Sequence, residues 1–152
     1  MARLSRRLNM IQLTKQQLDA IVVLAASRDD ILAMYVYGSY GSRFQTPLSD
    51  VDLAILPMSR TKWTARDEMM VFGELISPAM EDDVNPVNLA TAPVDLQMRI
   101  LDTGTLLYVR DRSLLADFQA RVVLRYCDFR PVLDAIYRDY DAGLREELHR
   151  DR

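Results

Sequence analysis

Hydrophobic residues along this chain follow helical spacing in some stretches and strand-like runs in others, and their order predicts a small layered domain. A capping box formed by Thr14 and Gln17 predicts the start of a first helix, expected over about Lys15 to Ser27. The continuous apolar run from Ile31 to Tyr37 predicts a strand that is buried on both faces.

The remaining pattern predicts three more strands and four more helices. In chain order they are a strand over Asp50–Pro57, a helix over about Lys62–Leu75, a strand over Asp83–Leu89, a helix from Ala92 to about Leu101, a strand over Thr105–Val109, a helix from Asp111 or Ser113 to about Asp128, and a helix from Pro131 to about Leu148. Pro131 is expected to separate the last two helices because proline interrupts a helix interior.

Helices packed on one small mixed β-sheet give an α/β (α+β) fold with C-terminal helices. Because the chain has 152 residues, we expect a single domain over residues 1–152. Its core is expected at about residues 14–110 and its C-terminal helical part at about residues 111–148.

Composition narrows the classes of function. The net charge of −3 gives no sign of direct nucleic-acid binding through bulk electrostatics, and no apolar run is long enough to cross a membrane. Cys127 is the only cysteine, so no intrachain disulfide can form and a reduced, cytoplasmic setting fits. Cys127 itself is expected to be a small buried residue, and Met69 and Met70 are expected to fill the core.

Two aspartates separated by one residue, Asp50 and Asp52, begin the second predicted strand. Because strand side chains alternate between faces, both carboxylates are expected on one face. Neighbouring carboxylates repel each other unless a cation lies between them, and Mg²⁺ prefers oxygen ligands. Gly38 and Ser39 precede them and offer a phosphate a close backbone approach, a hydroxyl and an N–H.

Each of these features has an ordinary structural explanation when it occurs alone. An Asp-x-Asp sequence is commonly a solvated strand end, and a Gly-Ser pair is commonly a turn. An apolar strand, then Gly-Ser, then ten residues, then Asp-x-Asp opening a second apolar strand is a much less common arrangement. The combination therefore favours a phosphate and metal site over the ordinary explanation.

The stretch from Gly38-Ser39 to Asp50-Val51-Asp52 resembles the signature of the polymerase-β-like nucleotidyltransferase superfamily, and the short chain resembles its minimal nucleotidyltransferase (MNT) branch. The resemblance implies the corresponding fold, ATP as substrate, Mg²⁺ as cofactor and nucleotidyl transfer. It also implies the site residues. Asp50 and Asp52 would be catalytic and hold the metal, and the nucleotide would be bound by Gly38, Ser39, Arg43 and Ser49.

Members of the superfamily typically have a third carboxylate on a later strand, and this chain departs from that pattern. Asn85 falls at the expected catalytic position, and Asn88 replaces a second aspartate of close relatives. An asparagine carbonyl can bind a metal, but it is uncharged and cannot act as a base. Asp83 lies two residues before Asn85 and is a possible substitute, while Arg43 lies where the family often has a second glycine.

Residues 92–108, together with the stretch Arg125–Pro131, resemble the MntA antitoxins, which pair with HEPN-domain toxins called HepT. This resemblance implies an adenylyltransferase that transfers AMP to a hydroxyl, expected to be a tyrosine, on a cognate toxin in a hetero-oligomer. Two alternatives remain open: a binding antitoxin that masks the toxin without catalysis, and a transferase acting on a small molecule. The tyrosines and arginines of the last helices fit either a partner surface or ordinary amphipathic packing.

Overall fold

The computed structural model describes residues 14–38, 51–77 and 84–150. These residues form four helices and four strands in the order helix, strand, strand, helix, strand, helix, strand, helix. The elements are α1 (Lys15–Ser27), β1 (Ile31–Tyr37), β2 (Val51–Pro57), α2 (Ala65–Ile76), β3 (Val84–Asn88), α3 (Val94–Thr103), β4 (Thr105–Val109) and α4 (Arg112–Arg150).

The strands form one mixed sheet in the order β3-β2-β1-β4, which confirms the predicted fold class. Strand β1 pairs antiparallel with both β2 and β4, whereas β2 pairs parallel with β3. Six of the seven residues of β1 are buried, as expected for an apolar strand at the centre of a sheet that is covered on both faces.

Two hydrophobic clusters cover the two faces of the sheet. Helices α1 and α2 contribute Ile21, Ala25, Val71 and Leu75 to the first cluster, which includes Met34, Leu53 and Val84 of the sheet. Helices α3 and α4 contribute Ile100, Leu115, Phe118 and Val122 to the second, which includes Tyr35, Ala54 and Leu56. From Ala33 onwards in β1, and from Val51 to Leu56 in β2, alternate residues therefore face opposite sides of the sheet, and this period of two decides which polar side chains can meet.

The start of α2 differs from the prediction. The helix begins at Ala65 because Thr64 and Asp67 form a capping box, in which each side chain accepts from the backbone N–H of the other residue. Met69 and Met70, expected to fill the core, are instead 71% and 53% exposed. Only the side of α2 that carries Val71 and Leu75 faces the sheet.

The C-terminal part of the chain also corrects the prediction. Helix α4 runs without a break from Arg112 to Arg150 and contains Pro131 in its interior, so the expected division into two helices is wrong. Proline removes one backbone hydrogen bond, but the surrounding turns keep theirs. Asp111 caps the start of α4, because its Oδ1 accepts from the N–H groups of Ser113 and Leu114 at 2.9 and 3.0 Å.

Cys127 is exposed, which corrects the expectation that it is buried. It lies on α4 beyond Val122, the last fully buried residue among those of the helix whose side chains the structure describes, where the helix no longer covers the sheet. No helix in the part of the chain that the structure describes is long and apolar enough to cross a membrane.

Asp30, just before β1, is held by two neighbouring side chains. Arg28 Nε and Nη2 donate to its two carboxylate oxygens at 2.9 and 2.8 Å, and Trp63 Nε1 donates at 3.0 Å. The hydrogen bond from Arg28 is the largest cause that lowers the pKa of Asp30, and the bond from Trp63 lowers it further, while partial burial opposes both. This cluster joins the end of α1, the start of β1 and the segment that leads into α2.

Substituting Asp30→Asn is expected to lower the free energy of unfolding by about 1–3 kcal/mol at pH 7. Because the pKa of Asp30 is depressed in the folded state, its ionised form stabilises the fold above about pH 4, and this contribution is lost as pH falls through the folded-state pKa. The difference from the wild type should therefore shrink in acid, as urea unfolding at pH 7 and pH 3 will measure.

Asp29→Asn is the matched control, since the Asp29 side chain is 93% exposed and meets Arg110 only at 3.6 Å. It should change the free energy of unfolding by less than about 0.5 kcal/mol. Equal effects of Asp29→Asn and Asp30→Asn at pH 7 would contradict the role given to the Asp30 cluster.

Candidate active site

Gly38 directly follows the last residue of β1 and has a left-handed conformation, with φ at 78°. A Cβ atom placed on this residue would lie 2.5 Å from Oδ2 of Asp52. Glycine is therefore required for two reasons, because an L side chain disfavours this backbone and would occupy the space of the carboxylate. The structure thus brings together the predicted glycine and one of the two predicted aspartates.

Asp52 also lies in register with Asn85. Asp52 pairs with Tyr37 across the antiparallel β1–β2 ladder and with Asn85 across the parallel β2–β3 ladder. Side chains in one row across a sheet share a face, with Cβ atoms about 4.5–5.5 Å apart. Tyr37, Asp52 and Asn85 therefore form a polar row on the face covered by α3 and α4, at the sheet end where β1 finishes.

Asn88 belongs to the opposite face of β3 and is separate from this row. It is 5% exposed, its Nδ2 donates to Glu68 Oε2 at 3.1 Å, and its Oδ1 accepts from the N–H of Ala90 at 3.0 Å. These bonds join β3 to α2 and fix the turn after the strand. Of the two asparagines that depart from the family pattern, only Asn85 lies beside Asp52.

Tyr37 and Arg99 add two groups that sequence reasoning did not place in the site. Burial raises the pKa of the Tyr37 hydroxyl, the negative charge of Asp52 raises it further, and the positive charge of Arg99 lowers it in part. Arg99 is an exposed residue of α3, so this helix presents a cation near the polar row. The sequence contains 17 arginines, and no local pattern distinguishes Arg99 from the others. Only the packing of α3 places Arg99 near the polar row.

The other predicted site residues lie outside the described ranges. These are Ser39, Arg43, Ser49, Asp50 and the possible substitute Asp83. Within the described ranges there is no cluster of three or more His, Cys, Asp or Glu side chains that could hold a metal ion. Asp52 and Asn85 nevertheless offer carboxylate and amide oxygens, which fit a hard cation such as Mg²⁺, and Asp50 precedes the first residue of β2.

Substituting Gly38→Ala is expected to destabilise the fold by about 1–2 kcal/mol for the left-handed backbone alone and to displace the Asp52 carboxylate. Urea unfolding will measure the first effect, and calorimetric titration with ATP and Mg²⁺ the second. Gly73→Ala is the control, because it lies in α2 with no atom within 4 Å of its added Cβ, and alanine there should stabilise by about 0.5–1 kcal/mol. Unfolding curves that shift in the same direction for both variants would refute the assignment.

Comparisons with known proteins agree with this geometry. The "Polymerase beta, Nucleotidyltransferase" family model matches residues 19–113, which is 95 of the 152 residues. The Protein adenylyltransferase MntA of Shewanella oneidensis is 27% identical over 140 residues, which cover 89% of this chain and 96% of that protein.

Two solved structures share the fold. A chain of a toxin–antitoxin crystal structure with AMP-PNP is 22% identical with a TM-score of 0.66, over 81% of this chain and 97% of that one. A chain from a complex of a tri-AMPylated Shewanella oneidensis HEPN toxin with an MNT antitoxin is also 22% identical, with a TM-score of 0.63, over 82% of this chain and 95% of that one.

The family match spans β1, the Gly38 turn, β2, β3 and β4, the segments that build the polar row. The sheet, the left-handed glycine against an aspartate and the family match all lead to one assignment. The chain belongs to the polymerase β nucleotidyltransferase family.

Proposed function

We propose that this chain is a Mg²⁺-dependent protein adenylyltransferase that transfers AMP from ATP to a tyrosine hydroxyl of a cognate HEPN toxin and thereby neutralises it. The observation that carries the proposal is the contact between Asp52 and the left-handed Gly38 in a member of this family. Supporting it, the Shewanella relative is named a protein adenylyltransferase, and a structural neighbour holds an AMPylated HEPN toxin.

The proposed roles follow from the chemistry of each residue. Gly38 and Ser39 seat the terminal phosphates of ATP, with Arg43 and Ser49 as further nucleotide contacts. Asp50 and Asp52 hold Mg²⁺, which when bound offsets the negative charge of the phosphates. Arg99 supplies a second positive charge on the same side of the sheet.

In the proposed transfer, the tyrosine oxygen of the toxin forms a bond to the α-phosphorus of ATP. The bond from that phosphorus to the oxygen bridging to the β-phosphorus breaks, and pyrophosphate leaves with the electron pair. The hydroxyl proton passes to a carboxylate at the site or to solvent. Asn85 cannot accept the proton near neutral pH, so removal of the proton from the attacking hydroxyl is the step for which this site is least well equipped.

One observation favours a second function, a binding antitoxin with little catalytic activity. Asn85 lies directly beside Asp52 in the polar row and carries no charge. The family resemblance assigns the third carboxylate to this position. In this alternative the chain masks the toxin by complex formation. For both functions we propose one domain over residues 1–152, acting in the cytoplasm.

Intact mass spectrometry of the partner separates the two functions. The purified chain is incubated with its toxin partner, ATP and Mg²⁺, and toxin activity is measured in parallel. A gain of one or more AMP units that disappears with EDTA is the expected result. Suppressed toxin activity in a stable complex, without any gain in mass, would replace the transferase with the binding antitoxin.

A further inference from the structure

A cleft of about 680 Å³ lies between the first part of α4 and the end of the sheet where β1 begins and β2 finishes. Its floor is apolar, because Leu32, Leu56 and Phe118 line it and are only 3%, 2% and 8% exposed. Leu56 lies four residues beyond Asp52 on β2, so the cleft is about 13 Å along the strand from the polar row. The cleft is therefore separate from the candidate active site, and its volume is typical of small-molecule sites.

Helix α4 supplies a charged wall to this cleft. Asp117, Arg121 and Arg125 follow one another at intervals of four residues, so they lie along one side of the helix, and all three line the cleft. Among the described residues, neither arginine forms an ion pair with a carboxylate. Two arginines and one aspartate leave the wall with one net positive charge.

Arg125 is held in place by a buried amide. Its Nη2 donates to Oε1 of Gln97 at 2.6 Å, and Gln97 is only 1% exposed. Gln97 Nε2 donates to the carbonyl oxygens of Leu89 and Ala90 at 2.7 and 3.2 Å. Because those carbonyls can only accept, Gln97 must direct its own oxygen towards the arginine. An uncharged partner therefore orients the guanidinium and leaves its positive charge uncompensated.

An apolar floor beside an oriented cation indicates the chemistry of a ligand. A guanidinium binds a planar oxyanion through parallel N–H donors, and a buried floor of leucine and phenylalanine binds a hydrocarbon body. One net positive charge is balanced by a carboxylate, whereas a doubly charged phosphate would leave one negative charge uncompensated. The concave shape, bounded by two strands and a helix, favours a small molecule over a flat protein surface.

We propose that this cleft binds a small organic carboxylate with an aromatic or branched apolar body. Arg121 and Arg125 hold the carboxylate, and the body packs against Leu32, Leu56 and Phe118. This site does not depend on the proposed function, since none of these residues belongs to the polar row. Binding can therefore be measured on the chain alone, without ATP or a toxin.

The test titrates the isotope-labelled chain with phenylbutyrate and with the corresponding alcohol, phenylbutanol, which has the same apolar body but no charge. NMR follows the backbone amides. Phenylbutyrate should shift the amides of Ser59, Ala90 and Leu124 with a Kd of about 1 mM or tighter, and leave those of Asp52 and Asn85 unchanged. The alcohol should bind at least about 10-fold more weakly, because it cannot accept charge-assisted hydrogen bonds. Equal affinities for the two compounds would overturn the proposal.

Arg121→Met tests the charged wall, because methionine keeps an apolar side chain in the cleft and removes the guanidinium. Arg121 is exposed, so the fold should be unchanged, which circular dichroism will check. Phenylbutyrate binding should weaken at least about 10-fold, and phenylbutanol binding should stay within about twofold.

Arg66→Met is the matched control, because Arg66 is an exposed residue of α2, which covers the other face of the sheet. It should bind phenylbutyrate within about twofold of the wild type. Equal binding of phenylbutyrate by Arg121→Met and Arg66→Met would contradict the role given to the charged wall.

Binding to the toxin partner tests the other possible occupant, a protein. If phenylbutyrate does not bind and Arg121→Met weakens toxin binding in biolayer interferometry, the cleft is a protein interface and the proposal is wrong. Binding of phenylbutyrate to the toxin-bound chain with an unchanged Kd would support a small-molecule site that stays open in the complex.

Discussion

Substituting Asp52→Asn is expected to reduce the rate of AMP transfer about 100- to 1,000-fold while leaving the fold intact. The asparagine side chain has nearly the same shape as aspartate, so it can occupy the same space against Gly38. Asparagine lacks the negative charge that attracts Mg²⁺, and the bound Mg²⁺ is what would offset the negative charge of the triphosphate. The initial rate of AMP addition to the toxin, followed by intact mass, measures the effect.

Asp19→Asn is the control for removal of one negative charge, because Asp19 is an exposed residue of α1 on the other side of the sheet. It should leave the transfer rate unchanged within about twofold. A rate for Asp52→Asn that equals the rate for Asp19→Asn would show that the polar row is not the catalytic centre. Thermal unfolding of both variants should confirm that neither effect comes from a loss of folded protein.

The other substitution with a large expected effect increases the rate of AMP transfer. Substituting Asn85→Asp is expected to raise the rate of AMP transfer at least about 10-fold. A well-placed general base typically contributes about 100- to 10,000-fold to the rate of a reaction, so this expectation is a lower bound. Asn85 is in register with Asp52 and exposed, so the new carboxylate enters the polar row without being buried. The gain should disappear as pH falls below about 4, where the added carboxylate is protonated.

Asn88→Asp is the matched control for this gain, since it makes the same chemical change three residues away on the opposite face of β3. There it places a carboxylate against Glu68, which now accepts a hydrogen bond from Asn88. It should destabilise the fold by about 1–3 kcal/mol and add no activity. A transfer rate for Asn85→Asp no higher than that of the wild type would mean that the third position needs no carboxylate in this chain.

The elements predicted correctly are those whose signals are local. Strand β4, helix α1 with its capping box and the buried strand β1 have the predicted bounds, because turns, caps and continuous apolar runs act over a few residues. The glycine at the end of β1 also follows from local sequence. The predicted burial of Cys127, Met69 and Met70 was wrong, because the burial of a helical residue depends on which element covers that face of the helix. The spacing of hydrophobic residues along the sequence does not determine this.

The site was only partly predictable for the same reason. The pair Asp52 and Asn85 meets through parallel pairing of β2 with β3, two strands separated in sequence by helix α2. Resemblance to the family indicated Asn85, but the register that places it beside Asp52 and leaves Asn88 on the other face is a property of the folded sheet. Arg99 reaches the site only because α3 packs back towards Tyr37.

The unbroken course of α4 through Pro131 has a mechanical consequence. Its 39 residues make a rod about 58 Å long, and its first turns are anchored on the sheet. Inserting seven residues after Val122 would move the following part of α4 by about 10 Å and keep nearly the same orientation. Inserting one residue would instead turn that part by about 100° about the helix axis. The length and the facing direction of this part of α4 can therefore change by small insertions that leave the sheet and its polar row untouched.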